Sequence, residues 1–278
     1  MNEAQRLLSV RNIYKKFSKD IKFNLYYGIQ DLLIQTLSLR HNYMKLRKKE
    51  FWSLQNINLD LYEGEILGVV GANGSGKTTL MRVISNIYPT DVGAVQMEED
   101  LTITPVFALR AGMQSLFTGR ENIFIKGSMY GMTEEELYEK MDFINEFSEL
   151  GDKLERPFGN YSSGMRARLA YAIAVATEPN VFIIDEALAV GDSVFKAKCF
   201  EHLKEYVKQP KKAVLFVSNN IRKVLKVATR VLVMDQGVII YESKDIREAL
   251  IYYLNNCLKN ISERERKHKL KKIIEYDM

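Results

Sequence analysis

Apolar residues follow two rhythms along this chain. Uninterrupted runs occur at Ile66-Leu67-Gly68-Val69-Val70, at Val181-Phe182-Ile183-Ile184, at Ala213-Val214-Leu215-Phe216-Val217 and at Val231-Leu232-Val233-Met234. Such runs predict strands buried on both faces. Each closes on polar or small residues: Gly71-Ala72-Asn73, Asp185-Glu186, Ser218-Asn219-Asn220, and Asp235 with Gly237 ahead of a short apolar stretch through Tyr241. Between them the spacing turns helical, as in Leu80, Met81, Val83 and Ile84. It does so again in Leu137, Met141, Ile144 and Phe147, behind the capping-box start Thr133-Glu134-Glu135-Glu136. Buried strands alternating with helices predict an α/β fold whose parallel sheet is covered on both faces.

Two stretches interrupt this alternation. Residues 110–175 are mostly helical and read as a helical insert in the α/β core. Residues 18–50 carry an apolar stripe, Ile29, Leu32, Leu33 and Leu37, running into Arg40, Lys45, Arg47, Lys48 and Lys49. The stripe fits a helix packed on its own domain with a solvated basic end, or a helix facing a membrane or a partner. The boundaries expected are a domain over 1–245, with the insertion at 18–50 and the helical part at 110–175, and a charged helical tail over 246–278. The tail reads as helical through Cys257 and densely charged from Ser262 to Lys272. That charge fits a solvated or frayed helix, or a surface for lipid headgroups or a partner.

Composition narrows the class. In 278 residues, 46% are hydrophobic and 27% charged, which excludes a disordered or collagen-like chain. No run approaches the roughly 18 apolar residues of a spanning helix, and the start, Met1-Asn2-Glu3-Ala4-Gln5-Arg6, is no secretory leader. Cys199 and Cys257 form no metal-ligand pattern, so a reducing compartment is the simple expectation. A net charge of +5 is mild and points to no nucleic-acid partner. The expectation is a soluble cytoplasmic protein.

The chemistry begins at Gly71-Ala72-Asn73-Gly74-Ser75-Gly76-Lys77-Thr78-Thr79, a phosphate-loop motif between a strand and a helix. Its glycines let backbone N–H groups point inward on a polyphosphate, and the following helix N-terminus adds donors and dipole. Lys77 would pair with the β- and γ-phosphates, and the Thr78 hydroxyl would ligate Mg²⁺. Asp185, closing a buried strand, suits a Mg²⁺ carboxylate. Glu186 suits a residue that orients or deprotonates an attacking water, although two acids there could also merely cap the strand. Tyr161-Ser162-Ser163-Gly164-Met165-Arg166-Ala167-Arg168 precedes an apolar helix and on its own reads equally as an N-cap.

Taken together, these residues resemble the nucleotide-binding subunits of ABC transporters: Walker A at 71–79, the signature motif at Tyr161–Met165 and Walker B at Val181–Glu186. Within that superfamily the chain is most similar to the ATPases of bacterial polysaccharide exporters, which move O-antigen, capsule or teichoic-acid chains. The narrower likeness rests on Phe51-Trp52-Ser53-Leu54, on Thr118-Gly119-Arg120-Glu121-Asn122-Ile123 with Tyr130-Gly131-Met132, on Tyr161 through Leu169, and on Asp185 through Asp192 with Phe195, Lys198 and Cys199. The resemblance implies an ABC-type phosphate-loop core with a parallel sheet, a small antiparallel β subdomain and a helical subdomain carrying the signature.

It further implies a head-to-tail pair of copies enclosing two ATP molecules. Gly71, Asn73, Gly74, Ser75, Gly76, Lys77, Thr78 and Thr79 of one copy would meet Ser162, Ser163 and Gly164 of the other. Asp192 would lie in the loop linking the two sites, and Phe17, or its rival Tyr14, would stack on adenine. A separate permease would turn closure and opening into export at the cytoplasmic face of the plasma membrane. Two positions depart from the family pattern. The usual switch histidine is replaced in Val217-Ser218-Asn219-Asn220, where Asn219 can donate a hydrogen bond but cannot titrate. The usual glutamine falls near Ala108 or Leu109, with Gln114 offset. Asn219 also supports another reading, a scaffold that dimerises on ATP and hardly hydrolyses it. A soluble ABC ATPase of translation or DNA repair would need two cassettes or a long coiled-coil insertion. The residues after 243 are too few for a carbohydrate-binding domain, so glycan-end recognition is not expected.

Overall fold

A computed structural model describes residues 4–37, 44–106, 111–185, 192–258 and 261–276. The chain runs β1 (Arg6–Ser18), α1 (Ile21–Thr36), β2 (Glu50–Tyr62), β3 (Ile66–Gly71), α2 (Lys77–Ile84), β4 (Val92–Met97) and β5 (Ile103–Val106). It continues α3 (Gly119–Met129), α4 (Glu134–Glu139), α5 (Met141–Ser148), α6 (Ser163–Ala176), β6 (Val181–Ile184), α7 (Ser193–Tyr206) and β7 (Ala213–Val217). The last elements are α8 (Ile221–Val227), β8 (Arg230–Asp235), β9 (Val238–Ser243), α9 (Ile246–Asn256) and α10 (Glu263–Ile274). A small antiparallel sheet has the order β2-β1-β4, and a six-stranded sheet the order β5-β6-β7-β3-β8-β9.

Strands β5, β6, β7, β3 and β8 are parallel, whereas β9 returns antiparallel to β8. The sheet is therefore mixed at one edge rather than parallel throughout. The cause is local: Gln236 (φ 45°) and Gly237 (φ 83°) make a two-residue turn with both φ positive, which folds β9 straight back as a hairpin.

The uninterrupted apolar runs feed two cores at once, because side chains alternate across a strand. Ile66, Val70, Phe182, Ile184, Val214, Phe216, Val231 and Val233 face the core under α6 to α9. Leu67, Val69, Val181, Ile183, Leu215, Leu232 and Met234 face a second core shared with α2 and the antiparallel sheet. All of these are essentially without exposure, and each contributes about 1.5–3 kcal/mol of apolar burial.

Three other expectations meet the structure differently. The stretch after Thr133 has the expected capping box and buries Leu137, Met141, Ile144 and Phe147, yet it breaks at Lys140 into α4 and α5. The charged tail is neither frayed nor free. Ser262 caps α10, Ile273 is fully buried, and Arg266 donates to the carbonyls of Leu254 and Leu258. The stripe Ile29, Leu32, Leu33 and Leu37 does not pack on its own domain, since all four side chains are more than half exposed.

Candidate functional site

Because β3, β6 and β7 are parallel and in register, their carboxyl ends share one edge of the sheet. Ile184 pairs with Phe216, and Val217 with Val69, so Asp185, Ser218 and Gly71 leave the sheet at successive levels of that one edge. In open α/β sheets this is the edge where ligands bind.

The phosphate loop joins β3 to α2 through a turn that only glycine fits at two points. A Cβ on Gly71 would lie 2.4 Å from both the Met234 carbonyl oxygen and Ser75 Oγ. Gly76 is the N-cap residue at φ 99°, a left-handed conformation costly for a side chain. No side chain caps α2, so its first-turn N–H groups remain available to an anion. Within the loop the Lys77 ammonium donates to the carbonyls of Gly71 (2.8 Å) and Ala72 (3.0 Å) and to Ser75 Oγ (3.4 Å). Ser75 and Lys77 are buried, while Asn73, Gly74 and Thr78 are exposed and Thr79 is half-buried with its hydroxyl 2.8 Å from Ser53 Oγ.

Around this loop the structure brings in neighbours that sequence reasoning did not assign. The β8–β9 turn clasps it: Gly237 N–H donates to the Ser75 carbonyl (3.0 Å), and the Gly237 carbonyl accepts from Gln55 N–H (2.8 Å). The antiparallel sheet is thus tied to the phosphate loop through one turn. A cleft of about 480 Å³ beside it is lined by Ala72, Asn73, Asp235 and Gln236 together with Cys257 and Leu258 of the tail. Gly237 was visible in the sequence only as a strand terminator, and nothing in the tail's pattern signals its approach.

Asn219 lies two residues past the end of β7 and donates from Nδ2 to Asn73 Oδ1 at 2.7 Å, linking the β7–α8 junction to the phosphate loop. On either side of it, Ser218 N–H donates to the Val69 carbonyl and Asn220 caps α8. Asp185 is half-buried at the end of β6. Glu186 lies outside the described residues, as do Ala108 and Leu109. Gln114 is exposed, its side chain turned to the Gly112 carbonyl (3.4 Å) and its N–H to Asn122 Oδ1 (2.7 Å).

The signature residues stand apart. Ser162 caps α6, accepting from Met165 N–H, and Ser162 and Ser163 are exposed. Among the described residues no hydrogen bond or ion pair joins 162–164 to the phosphate loop of the same chain. Tyr161 is buried beneath them, its hydroxyl donating to the Lys153 carbonyl (2.7 Å). Asp192 braces two helices. Its Oδ1 accepts the N–H groups of Val194 and Phe195 at the start of α7, and its Oδ2 pairs with Arg168 of α6. The Phe195 N–H first, then Arg168, hold its carboxyl below the usual range. Arg168 also pairs with Glu149, which pairs with Lys198, so charges link the signature helix to α7.

Phe17 and Tyr14 both remain half-buried on β1. Phe17 meets Tyr88 edge-on at 5.5 Å under the Lys15 ammonium, and Tyr14 meets Trp52 at 5.5 Å. Away from this edge, a cleft of about 1000 Å³ lies near the amino-terminal ends of β3 and β8. Within it Arg230 is bound to Glu65 and Glu242, and Arg11 to Asp60.

A family profile described as ABC transporter matches residues 54–189. The chain is 41% identical to the teichoic acids export ATP-binding protein TagH of Lactiplantibacillus plantarum over 73% of its own length and 54% of that protein's. It is 36% identical to the protein of the same name from Levilactobacillus brevis, over 89% of this chain and 66% of the relative. Against the ABC transporter protein AbcA of Aeromonas salmonicida the identity is 38%, over 70% and 63% respectively. The chain thus spans about half to two thirds of the length of these relatives. Its fold is similar to a solved ATP-binding subunit of an ABC transporter, with TM-score 0.68 at 16% identity over 95% of this chain and 99% of that one. It is also similar to the ATP-binding cassette MJ0796, solved as a dimer with ADP and Pi, with TM-score 0.64 at 21% identity over 85% and 98%.

Proposed function

The chain belongs to the ABC transporter family of ATP-binding cassettes, and from that premise we propose that it hydrolyses ATP to drive a separate permease exporting a cell-surface polysaccharide of the teichoic-acid type. The observation that carries the reading is the meeting of Lys77, Asp185 and the Asn73–Asn219 pair at one sheet edge, with Ser162 and Ser163 exposed elsewhere. A polyphosphate is held by the α2 N-terminus and by Lys77, which moves its hydrogen bonds from loop carbonyls to phosphate oxygens. Phe17, or Tyr14, stacks on the adenine.

Among the described residues no cluster of three or more His, Cys, Asp or Glu side chains forms a metal cage. The donor set fits Mg²⁺ all the same, because this ion takes one or two protein ligands beside phosphate and water. Thr78 and Asp185 would hold it, and when bound it neutralises phosphate charge. Glu186 orients a water and takes its proton. The water oxygen attacks the γ-phosphorus, the bond to the β-phosphate oxygen breaks, and ADP and phosphate result. Asn219 donates its amide N–H to the transferred group.

Ser162, Ser163 and Gly164 complete the site from a second copy, since their own chain does not bring them to its phosphate loop. ATP then favours the closed pair through contacts that exist only with the γ-phosphate, and hydrolysis releases it. No helix among the described residues is long and apolar enough to cross a membrane, so the reading assigns the path to a partner permease and this chain to its cytoplasmic side. Glu186→Gln tests it. With MgATP the variant is expected to run as a dimer by size exclusion and to stop hydrolysing. A variant that stays monomeric and turns over like the parent removes Glu186 from its assigned role.

A further inference from the structure

Thr79 is the third residue of α2, so its N–H is one of the first-turn donors that a helix leaves without a carbonyl. Its hydroxyl has a choice of direction. In a helix the threonine χ1 divides between two wells, in one of which the hydroxyl turns back on a carbonyl three or four residues earlier. Here those carbonyls belong to Ser75 and Gly76, which already accept from Gly237 N–H (3.0 Å) and Leu80 N–H (2.9 Å). Among the described residues Thr79 Oγ1 is bonded to neither. It meets Ser53 Oγ of β2 at 2.8 Å instead.

Ser53 is held where three segments converge. Its carbonyl oxygen lies so close to Gly76 and Gly237 that a Cβ on either glycine would stand 2.7 Å from it. Two residues on, Gln55 N–H donates to the Gly237 carbonyl. Before it, Trp52 meets Tyr14 and Phe51 meets Phe17, so one short run of β2 touches both adenine candidates and the phosphate loop. The backbone of Ser53 is thereby fixed against the loop, and its hydroxyl is fixed against Thr79. As a staple for the fold the pair is weak, because both residues are half-buried and water can serve either hydroxyl. What the contact does set is direction. Each hydroxyl has one proton and two lone pairs, and with the loop empty either can be the donor. A phosphate oxygen is the stronger acceptor. With nucleotide bound, Thr79 gives its proton to phosphate and keeps only lone pairs for Ser53, which becomes the donor.

We propose that Ser53 is a positioning residue for the nucleotide: its hydroxyl holds Thr79 in the phosphate-facing rotamer and donates to it, in a chain from Ser53 through Thr79 to a phosphate oxygen. This rests on the nucleotide reading of the phosphate loop and adds to it a residue outside the loop that acts only through Thr79.

A double-mutant cycle on MgATP binding to the full chain, measured by calorimetry, tests the chain of hydroxyls. Ser53→Ala should weaken binding about threefold to tenfold, the worth of one hydrogen bond. Thr79→Val keeps the branched shape without the hydroxyl and should cost about tenfold to a hundredfold. Adding Ser53→Ala to Thr79→Val should cost nothing more, because the group that Ser53 positions is gone. In turnover, Ser53→Ala should raise KM for ATP with kcat unchanged, as expected of a contact made equally in the ground and transition states. Urea midpoints of the four proteins report on folding separately. The proposal is overturned if Ser53→Ala binds MgATP like the parent, or if it weakens binding equally in both Thr79 backgrounds, as a merely structural residue would. It is also overturned if kcat falls while KM stays. Lys77→Ala separates the two levels of failure. If Lys77→Ala weakens binding and Ser53→Ala does not, only the role of Ser53 falls; if neither does, the nucleotide reading of the loop falls with it.

Discussion

The side chain that sets this cassette apart is Asn219, and its truncation should affect stability and turnover very differently. In the folded chain its Nδ2 donates to Asn73 Oδ1 at 2.7 Å. The bond is open to solvent, so water replaces much of it, and Asn219→Ala should cost no more than about 1 kcal/mol of stability. In the proposed role the same donor would act where charge develops on a phosphate undergoing transfer, and losing it is expected to slow hydrolysis on the order of 10²–10³-fold. Asn219→His should raise turnover above the parent without much change in ATP affinity, since Asn73 Oδ1 can accept an imidazole N–H in place of the amide. It should also introduce a pH dependence near pH 6.5, absent from this position in the parent because an amide does not titrate. Steady-state ATPase rates with the permease, from about pH 5.5 to 8.5, and urea denaturation of each variant make the comparison. If Asn219→Ala hydrolyses like the parent, Asn219 does not touch the transferred phosphate. If Asn219→His is no faster, the site is adapted to asparagine and the slow-switch reasoning fails.

Other consequences can be checked alongside. Lys77→Ala removes a charged donor worth about 1.5–3 kcal/mol, so ATP should bind about tenfold to a hundredfold more weakly by calorimetry; an unchanged affinity at physiological salt would contradict its role. The Tyr171 hydroxyl is buried with no hydrogen-bond partner among the described residues. Tyr171→Phe should therefore stabilise the fold by about 1 kcal/mol, and a lowered urea midpoint would reveal a partner for that hydroxyl. Burial against Phe147, Tyr171 and Tyr206 lowers the His202 pKa from 6.5 to about 4. The unfolded chain then binds the extra proton first, so stability is full above pH 6.5 and falls until about pH 4, by at most about 3 kcal/mol. His202→Gln should flatten that part of the pH–stability curve, and an unchanged slope would assign it to other groups.

What could be read from the residues depends on burial. Strands β3, β6, β7 and β8 are covered on both faces, so their sequences are plainly apolar and their ends visible. The phosphate loop was legible because its spacing is dictated by backbone geometry at Gly71 and Gly76. Strands β1 and β2 gave no such signal. They cover one core with one face, bury Lys15 and Lys16, and slip register at several points, so their alternation is broken and only the family resemblance predicted the small sheet. The stripe on α1 was legible as a stripe, but its residues left an inward and an outward reading both open. Periodicity records which residues share a face and nothing of what faces them.

Asn219 shows where local reading stops and where the fold adds mechanism. Its position after β7 is set by the sequence, but its partner Asn73 lies across β3 and becomes adjacent only because β7 and β3 pair in parallel. The parallel pairing of β3 with β8 puts the β8–β9 turn against Ser75, and through Gln55 against the antiparallel sheet. A shift of the phosphate loop on nucleotide must therefore be carried by two junctions at once, the amide pair on one side and the Gly237 turn on the other. The signature helix answers to neither. Its link runs through Arg168 to Asp192 at the head of α7 and through Glu149 to Lys198, a set of charges holding α6 and α7 as a unit. The phosphate loop and the signature helix of one chain thus have separate polar attachments, while α6 and β3 share one apolar core.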